Sequence, residues 1–103
     1  MFKNKGFIID NILHLTPSEA FELCSEEATL VDVREEFMIG CKKFDVPQTI
    51  YCPASNIAEL HTKLPKFLPL IIADATGIHS KEIVLFLIDK GLNRYKLFIF
   101  VLL

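Results

Sequence analysis

Short apolar runs alternate with amphipathic segments along this chain of 103 residues. The β-branched run 29–33 and the apolar run 70–73 are typical of buried parallel strands. Residues 95–103 predict a last strand. Two weaker segments predict short strands: an edge strand within 8–15, centred on 12–14, and a strand within 46–53 whose ends are restricted by prolines.

Three segments between these strands have helical signatures. Thr16-Pro17-Ser18-Glu19 combines a capping residue, proline at the first helical position and the glutamate of a capping box, which predicts a helix to about residue 25. Its apolar side is predicted to consist of Ala20, Phe21, Leu23 and Cys24. Ser55 is predicted to cap a second helix that continues through Leu60 to about Leu64.

The third predicted helix runs from Ser80 to Lys90, and Gly91 follows its end. Its residues 83–88 are apolar almost all round, which predicts packing on two sides. Because strands alternate with helices, the predicted class is α/β, with a mostly parallel sheet and helices on both faces. Residues 1–103 are expected to form a single domain.

Composition narrows the classes of function. The net charge is −2, with no basic excess, so nucleic-acid binding has little electrostatic support. The longest apolar run, 97–103, is far shorter than the ~20 residues of a membrane-spanning helix. No secretory signal is expected, and Cys24, Cys41 and Cys52 match no zinc or redox spacing, which favours free thiols and a cytoplasmic location.

The segment 70–91 is the most informative part of the chain. A buried strand leads through a glycine-containing turn directly into a helix. This geometry aims backbone N–H groups at one point, and the helix dipole makes that point favourable for an anion. The first residue of the turn, where many enzymes place a nucleophile, is Asp74.

Four segments occur in order over nearly the whole chain and together resemble the signatures of the rhodanese-like family. They follow the capped helix at Thr16 and are Leu30-Val31-Asp32-Val33-Arg34, Glu36-Phe37-x-x-Gly40, Val46-Pro47-Gln48-Thr49-Ile50-Tyr51-Cys52-Pro53 and Asp74-Ala75-Thr76-Gly77-Ile78-His79-Ser80. The resemblance implies a rhodanese-like α/β fold. It also implies that the last segment is the active-site-like loop, supported by Asp32 and Arg34.

In that family the first loop residue is a cysteine that takes a sulfane sulfur, becomes a persulfide and passes the sulfur to an acceptor. This chain departs from that pattern because Asp74 stands at the nucleophile position, and a carboxylate cannot form a persulfide. His79 replaces the expected loop arginine, and Cys41 stands where histidine is common, beside an apparent insertion at 42–45. Phe100 and Val101 replace a common pair of glycines.

The resemblance therefore predicts a catalytically silent domain that acts as a binding or regulatory module, with no cofactor and no metal. Its expected partner is a protein, or weakly a small anion. The alternative is a sulfurtransferase, or a related phosphatase or arsenate-reductase-like enzyme. The apolar segment 97–103 predicts either a buried strand or a surface through which a homodimer forms.

Further alternatives concern individual side chains. Cys41 or Cys52 could replace the lost nucleophile, although neither precedes a predicted helix. Asp74 could act as in aspartyl-phosphate enzymes, or bind a metal with His79 and His61. The simplest hypothesis is that the Asp74 carboxylate fills the N–H cradle as a built-in anion, with His79 adding a conditional positive charge. Residues 34–37 are interpreted mainly as a solvated ion-pair cluster.

Overall fold

The computed structural model describes residues 7–9, 12–35, 49–75 and 77–101. Six strands form one sheet: β1 Phe7–Ile9, β2 Ile12–Leu15, β3 Thr29–Asp32, β4 Thr49–Tyr51, β5 Leu70–Asp74 and β6 Leu97–Val101. Among the described residues, three α-helices accompany them: α1 Pro17–Glu26, α2 Ile57–Leu60 and α3 Ile78–Asp89. Short 3-10 turns cover Ala54–Asn56, His61–Lys63 and Arg94–Lys96.

The strand order is β1-β2-β6-β5-β3-β4. Strand β1 pairs antiparallel with β2, and every other neighbouring pair is parallel. The central strand β5 is buried along its whole length, as its continuous apolar sequence predicts. The predicted α/β class with a mostly parallel sheet is confirmed.

Side chains of β5 alternate between two cores. Leu70 and Ile72 join the cluster against which α2 and α3 pack, whereas Ile71 and Ala73 join the cluster covered by α1. Alternation with a period of two residues divides the strand between the two faces of the sheet. Helices therefore cover both faces, as predicted.

Helix α1 begins as its sequence predicts. The Thr16 hydroxyl accepts from the Glu19 backbone N–H, and the Glu19 carboxylate accepts from the Thr16 N–H at 2.8 Å. Ala20, Leu23 and Cys24 are buried, but Phe21 is 66% exposed, so its predicted place on the apolar side is wrong. Position 21 lies next to the buried stripe, and no other described element covers it.

The other helices differ from the prediction in their ends. Helix α3 begins at Ile78, two residues before the predicted start at Ser80, and ends at Asp89. Leu85 of this helix is 47% exposed, so the helix is not covered by apolar contacts on every side. The predicted helix from Ser55 consists of two 3-10 turns with only four α-helical residues between them, and Ser55 does not cap α2.

Strand β6 lies between β2 and β5 and is therefore hydrogen-bonded on both sides. Residues 97–100 are buried, so the described part of the apolar segment is a core strand. Residues 102–103 lie outside the described residues, and the homodimer through 97–103 stays a prediction. Among the described residues, no helix is both long and apolar enough to cross a membrane.

The capping box of α1 leads to a test of helix stability. We expect Thr16→Ala to lower the free energy of unfolding by about 1 kcal/mol, because the Glu19 N–H at the helix start loses its acceptor. Urea titration followed by circular dichroism measures the change. Thr62→Ala, the same substitution at an exposed threonine outside α1, is the control and is expected to change stability by less than about 0.5 kcal/mol.

Candidate functional site

The candidate site lies at the carboxyl-terminal edge of the sheet. Strands β3 and β5 are neighbours, with Asp32 paired to Ala73, and Asp74 is the next residue of β5. Asp32, Arg34 and Asp74 are all buried at this edge. In open α/β sheets, functional sites lie at this end of the strands.

The Asp74 carboxylate fills the cradle of backbone N–H groups that follows β5. Its Oδ1 atom accepts from the Ala75 N–H at 2.7 Å. Its Oδ2 atom accepts from the N–H groups of Gly77 at 3.2 Å, His79 at 3.1 Å and Ser80 at 3.2 Å. The side chain is 0% exposed, so these four donors replace the water that a carboxylate requires.

Asp74 also performs the role of a helix cap for α3. The residue at the N-cap position is Gly77, which has no side chain to accept from the first turn. Asp74 accepts instead from the second and third helical residues, His79 and Ser80, which are the usual donors to a capping oxygen. Its negative charge lies at the positive end of the helix dipole, which stabilises both.

Gly77 makes the tight turn possible. Its φ angle of 85° lies in the left-handed region, which residues with a Cβ adopt only with strain. A Cβ added there would lie 3.2 Å from Cγ2 of Val101, so the end of β6 packs directly against the turn. The Ser80 hydroxyl donates to the Gly77 carbonyl at 3.1 Å and closes the loop on its inner side.

Asp32 and Arg34 form a buried, two-pronged ion pair beside this loop. Nε of Arg34 donates to Oδ1 of Asp32 at 2.9 Å, and Nη2 donates to Oδ2 at 2.8 Å. Arg34 is only 2% exposed, so the interpretation of residues 34–37 as a solvated cluster is wrong for this residue. The hydrogen bond to Asp32 is the main cause that raises the pKa of Arg34, and the charge of Asp74 contributes in the same direction.

Sequence reasoning missed a second carboxylate contact at this edge. The Glu35 side chain accepts from the Ser55 N–H at 3.0 Å and from the Ser55 hydroxyl at 2.9 Å. It thereby joins the segment after β3 to the 3-10 turn after β4. The charged residues that follow β3 are visible in the sequence. Their contact with a serine twenty positions later is not, because it depends on the fold.

Of the loop residues predicted from the resemblance, Ala75, Gly77, His79 and Ser80 are brought around Asp74 by their backbone N–H groups. Ile78 is the first residue of α3, and Thr76 lies outside the described residues. The Nδ1 atom of His79 is buried and has no hydrogen-bond partner within the described part of the chain.

The predicted metal set does not assemble. His61 Nδ1 lies 3.1 Å from the Ile57 carbonyl oxygen, and the ring makes an edge contact with Phe86, in the packing between α2 and α3. Nowhere in ranges 7–9, 12–35, 49–75 and 77–101 do three potential metal-ligating side chains cluster. The alternative with Asp74, His79 and His61 as ligands is therefore wrong.

Neither described cysteine is activated for nucleophilic chemistry. Cys24 and Cys52 are both buried, and burial raises the pKa of each thiol. A raised pKa keeps the thiol protonated at neutral pH, and the protonated form is a poor nucleophile. Cys41, the glutamate-glycine segment 36–40 and residues 42–48 lie outside the described residues.

The Asp32–Arg34 pair leads to a test of the site's support. We expect Arg34→Met to lower the free energy of unfolding by about 3–5 kcal/mol, because the Asp32 carboxylate would stay buried without its guanidinium. Chemical denaturation measures the loss. The double variant Asp32→Asn with Arg34→Met should lose less than the two single variants added together, and strictly additive losses would contradict the coupling.

The chain was compared with known proteins. No protein-family model matches it, and no sequence among curated proteins matches it. The crystal structure of a rhodanese-related protein from Thermoplasma volcanium superposes on it with a TM-score of 0.71 and 24% sequence identity. The match covers 85% of this chain and 82% of the other. The chain is therefore a domain of the rhodanese-like fold.

Proposed function

We propose that this domain is catalytically silent and acts as a binding or regulatory module. The single observation that supports the proposal is the position of the Asp74 carboxylate, which is fully buried and accepts four backbone N–H bonds. A loop of this shape would otherwise offer those donors to a substrate anion or to the charged form of a nucleophile. In this chain the donors already hold a negative charge.

The chemistry of a carboxylate excludes the family's sulfur-transfer step at this position. Sulfane-sulfur transfer requires a thiolate that attacks the donor and keeps the sulfur as a persulfide. An oxygen of Asp74 cannot carry sulfur in that way. The remaining described thiols, Cys24 and Cys52, are buried and have raised pKa values, so neither supplies the missing nucleophile.

Because the Asp74 carboxylate occupies the cradle, dissolved anions compete poorly with it for the loop N–H groups. The Asp74 carboxylate is attached to the chain immediately before the loop, so its effective concentration at the N–H groups far exceeds that of a dissolved ion. A second anion would have to displace it and would then be repelled by it at short range. Binding of thiosulfate or phosphate inside the loop is therefore expected to be weak.

A module of this kind recognises its partner through the rim of the loop rather than through its interior. Ala75, Gly77 and His79 are half-buried, and Lys81 is exposed on the first turns of α3. The loop backbone is tied to Asp74, so this rim is held in one conformation before a partner arrives. Preorganisation of this kind reduces the entropy lost on binding, which favours a protein partner over a small anion.

A sulfurtransfer assay with thiosulfate as donor and cyanide as acceptor tests the proposal. We expect no turnover above buffer for the natural chain. Asp74→Cys is expected to acquire one sulfur atom on treatment with thiosulfate, detected by mass spectrometry of the intact protein, because the N–H groups that now hold the carboxylate would stabilise a thiolate.

Asp74→Ser serves as the matched control for this assay, since it is similar in size to Asp74→Cys and lacks the thiol. Clear turnover by the natural chain, abolished by Cys41→Ser or Cys52→Ser, would overturn the proposal in favour of a sulfurtransferase with a relocated nucleophile. Absence of the persulfide on Asp74→Cys would contradict the interpretation of the loop as an intact sulfurtransfer cradle.

Removing the carboxylate should turn the loop into a site for free anions. We expect Asp74→Ala to lower the free energy of unfolding by about 1–3 kcal/mol, because buried N–H groups lose their acceptor. Sulfate or thiosulfate should then restore part of the loss. At ten times the dissociation constant the gain is about 1.4 kcal/mol, which thermal denaturation resolves as several degrees.

The natural chain and Asp89→Ala are the controls, since Asp89 is an exposed carboxylate at the opposite end of α3. Both should show only the small, general stabilisation that these salts produce through exclusion from the protein surface. A selective and saturable stabilisation of the natural chain would show that its loop accepts external anions, contrary to the proposal.

A further inference from the structure

A second surface lies at the amino-terminal edge of the sheet, opposite the Asp74 loop. Three segments meet there, one before each of β6, β5 and β3. Leu97 is paired with Leu70, and Thr29 is paired with Leu70 on its other side. The Thr29 N–H donates to the Pro69 carbonyl at 2.9 Å, so the end of α1 lies directly beside the segment 66–69.

The first of these segments, 94–96, is basic. It contains Arg94 and Lys96, and the neighbouring segment 66–69 begins with Lys66. Nζ of Lys96 donates to the Phe67 carbonyl at 2.9 Å, which links the two segments. Within residues 94–96 and 66–69 there is no acidic side chain.

The middle of the edge is apolar and strongly exposed. Phe67 is 84% exposed and Leu68 is 42% exposed, and Tyr95 beside them is 84% exposed. Aromatic side chains and arginine, here Tyr95 and its neighbour Arg94, are residue types that protein interfaces concentrate at their energetic centres. Phe67 and Tyr95 are the two most exposed of the large apolar side chains in the described part of the chain.

The third segment is acidic. Helix α1 and the residue after it carry four glutamates and no basic residue, and Glu26 and Glu27 lie exposed at the end nearest Thr29. Across the edge the order is therefore basic, apolar and acidic, following the strand order β6, β5, β3. Adjacent strands are ~4.8 Å apart, so the two charged ends flank the apolar middle within about 10 Å.

We propose that this edge is a self-complementary interface through which two copies of the chain form a two-fold symmetric dimer. A two-fold axis through the apolar middle places Glu26 and Glu27 of one copy opposite Arg94 and Lys96 of the other, and repeats the same contact on the other side of the axis. Phe67, Leu68 and Tyr95 of both copies then cover one another. An interface of this type closes after two subunits.

The order of charges favours a second copy over an unrelated partner. An acidic partner would be attracted by the basic end but repelled by Glu26 and Glu27. A basic partner would be attracted by the acidic end but repelled by the basic segment 94–96. A second copy rotated by 180° matches both ends at once. The surface is separate from the Asp74 loop, so association at one edge leaves the other edge accessible.

Charge reversal tests this arrangement. One variant combines Lys66→Glu with Arg94→Glu, which keeps Lys96 but makes the edge predominantly acidic, and the other combines Glu26→Lys with Glu27→Lys, which makes it basic. Sedimentation equilibrium at low salt is expected to show a dimer of the 11.7 kDa natural chain and monomers of each variant. The dissociation constant of each variant should rise by about tenfold or more.

An equimolar mixture of the two variants distinguishes this proposal from a general effect of charge. We expect the mixture to form a 1:1 dimer, because the predominantly acidic edge of one variant matches the basic edge of the other. Circular dichroism confirms that each variant is folded before mixing. Tyr95→Ser should weaken the dimer of the natural chain, whereas Leu85→Gln, at an exposed leucine on α3, should leave it unchanged.

Three results would overturn the proposal. The first is a natural chain that remains monomeric up to about 1 mM, where even an association of about 4 kcal/mol is detected. The second is self-association that neither reversed variant reduces, which would place the contact on another surface. The third is a mixture that forms polymers larger than two subunits, because a head-to-tail contact does not close.

Discussion

The backbone N–H groups at the start of a buried helix need acceptors, and in this protein one carboxylate supplies them. Asp74 ends β5 and accepts from Gly77, His79 and Ser80 at the beginning of α3. The bond network therefore fixes the distance and direction between the central strand and the helix that covers it. The left-handed turn at Gly77 and the contact of Val101 with that turn both depend on this arrangement.

The same carboxylate determines what the loop can do. A rhodanese-like fold by itself is compatible with many activities, so the function has to be argued from the site. Here the N–H groups of the loop are occupied by a side chain of the same segment, the carboxylate of Asp74. Arg34, held against Asp32 and attracted by Asp74, stabilises the buried negative charge from the neighbouring strand. The charges of Asp32, Arg34 and Asp74 at this edge are thus balanced within the domain.

The charged side chains are buried at one edge of the sheet and exposed at the other. At the carboxyl-terminal edge, Asp32, Arg34 and Asp74 are buried and paired through short hydrogen bonds. At the amino-terminal edge, Glu27 and Lys96 are exposed on either side of apolar side chains. Buried charges are weakly screened and stabilise one conformation, whereas exposed charges mainly select and orient partners. One small domain can therefore keep a rigid loop and still offer a separate surface for association.

Local sequence patterns determined the start of α1, the buried strands β3 and β5, the α/β class and the carboxylate that begins the strand-to-helix turn, because each depends on residues a few positions apart. Tertiary structure decided the rest. The burial of Arg34, the contact between Glu35 and Ser55, and the exposure of Phe21 and Leu85 depend on what another segment covers. The start of α3 at Ile78 also depends on tertiary structure, because Asp74 caps the helix from across the turn. The sequence does not show how close Asp74 lies to the helix, so it does not identify this cap.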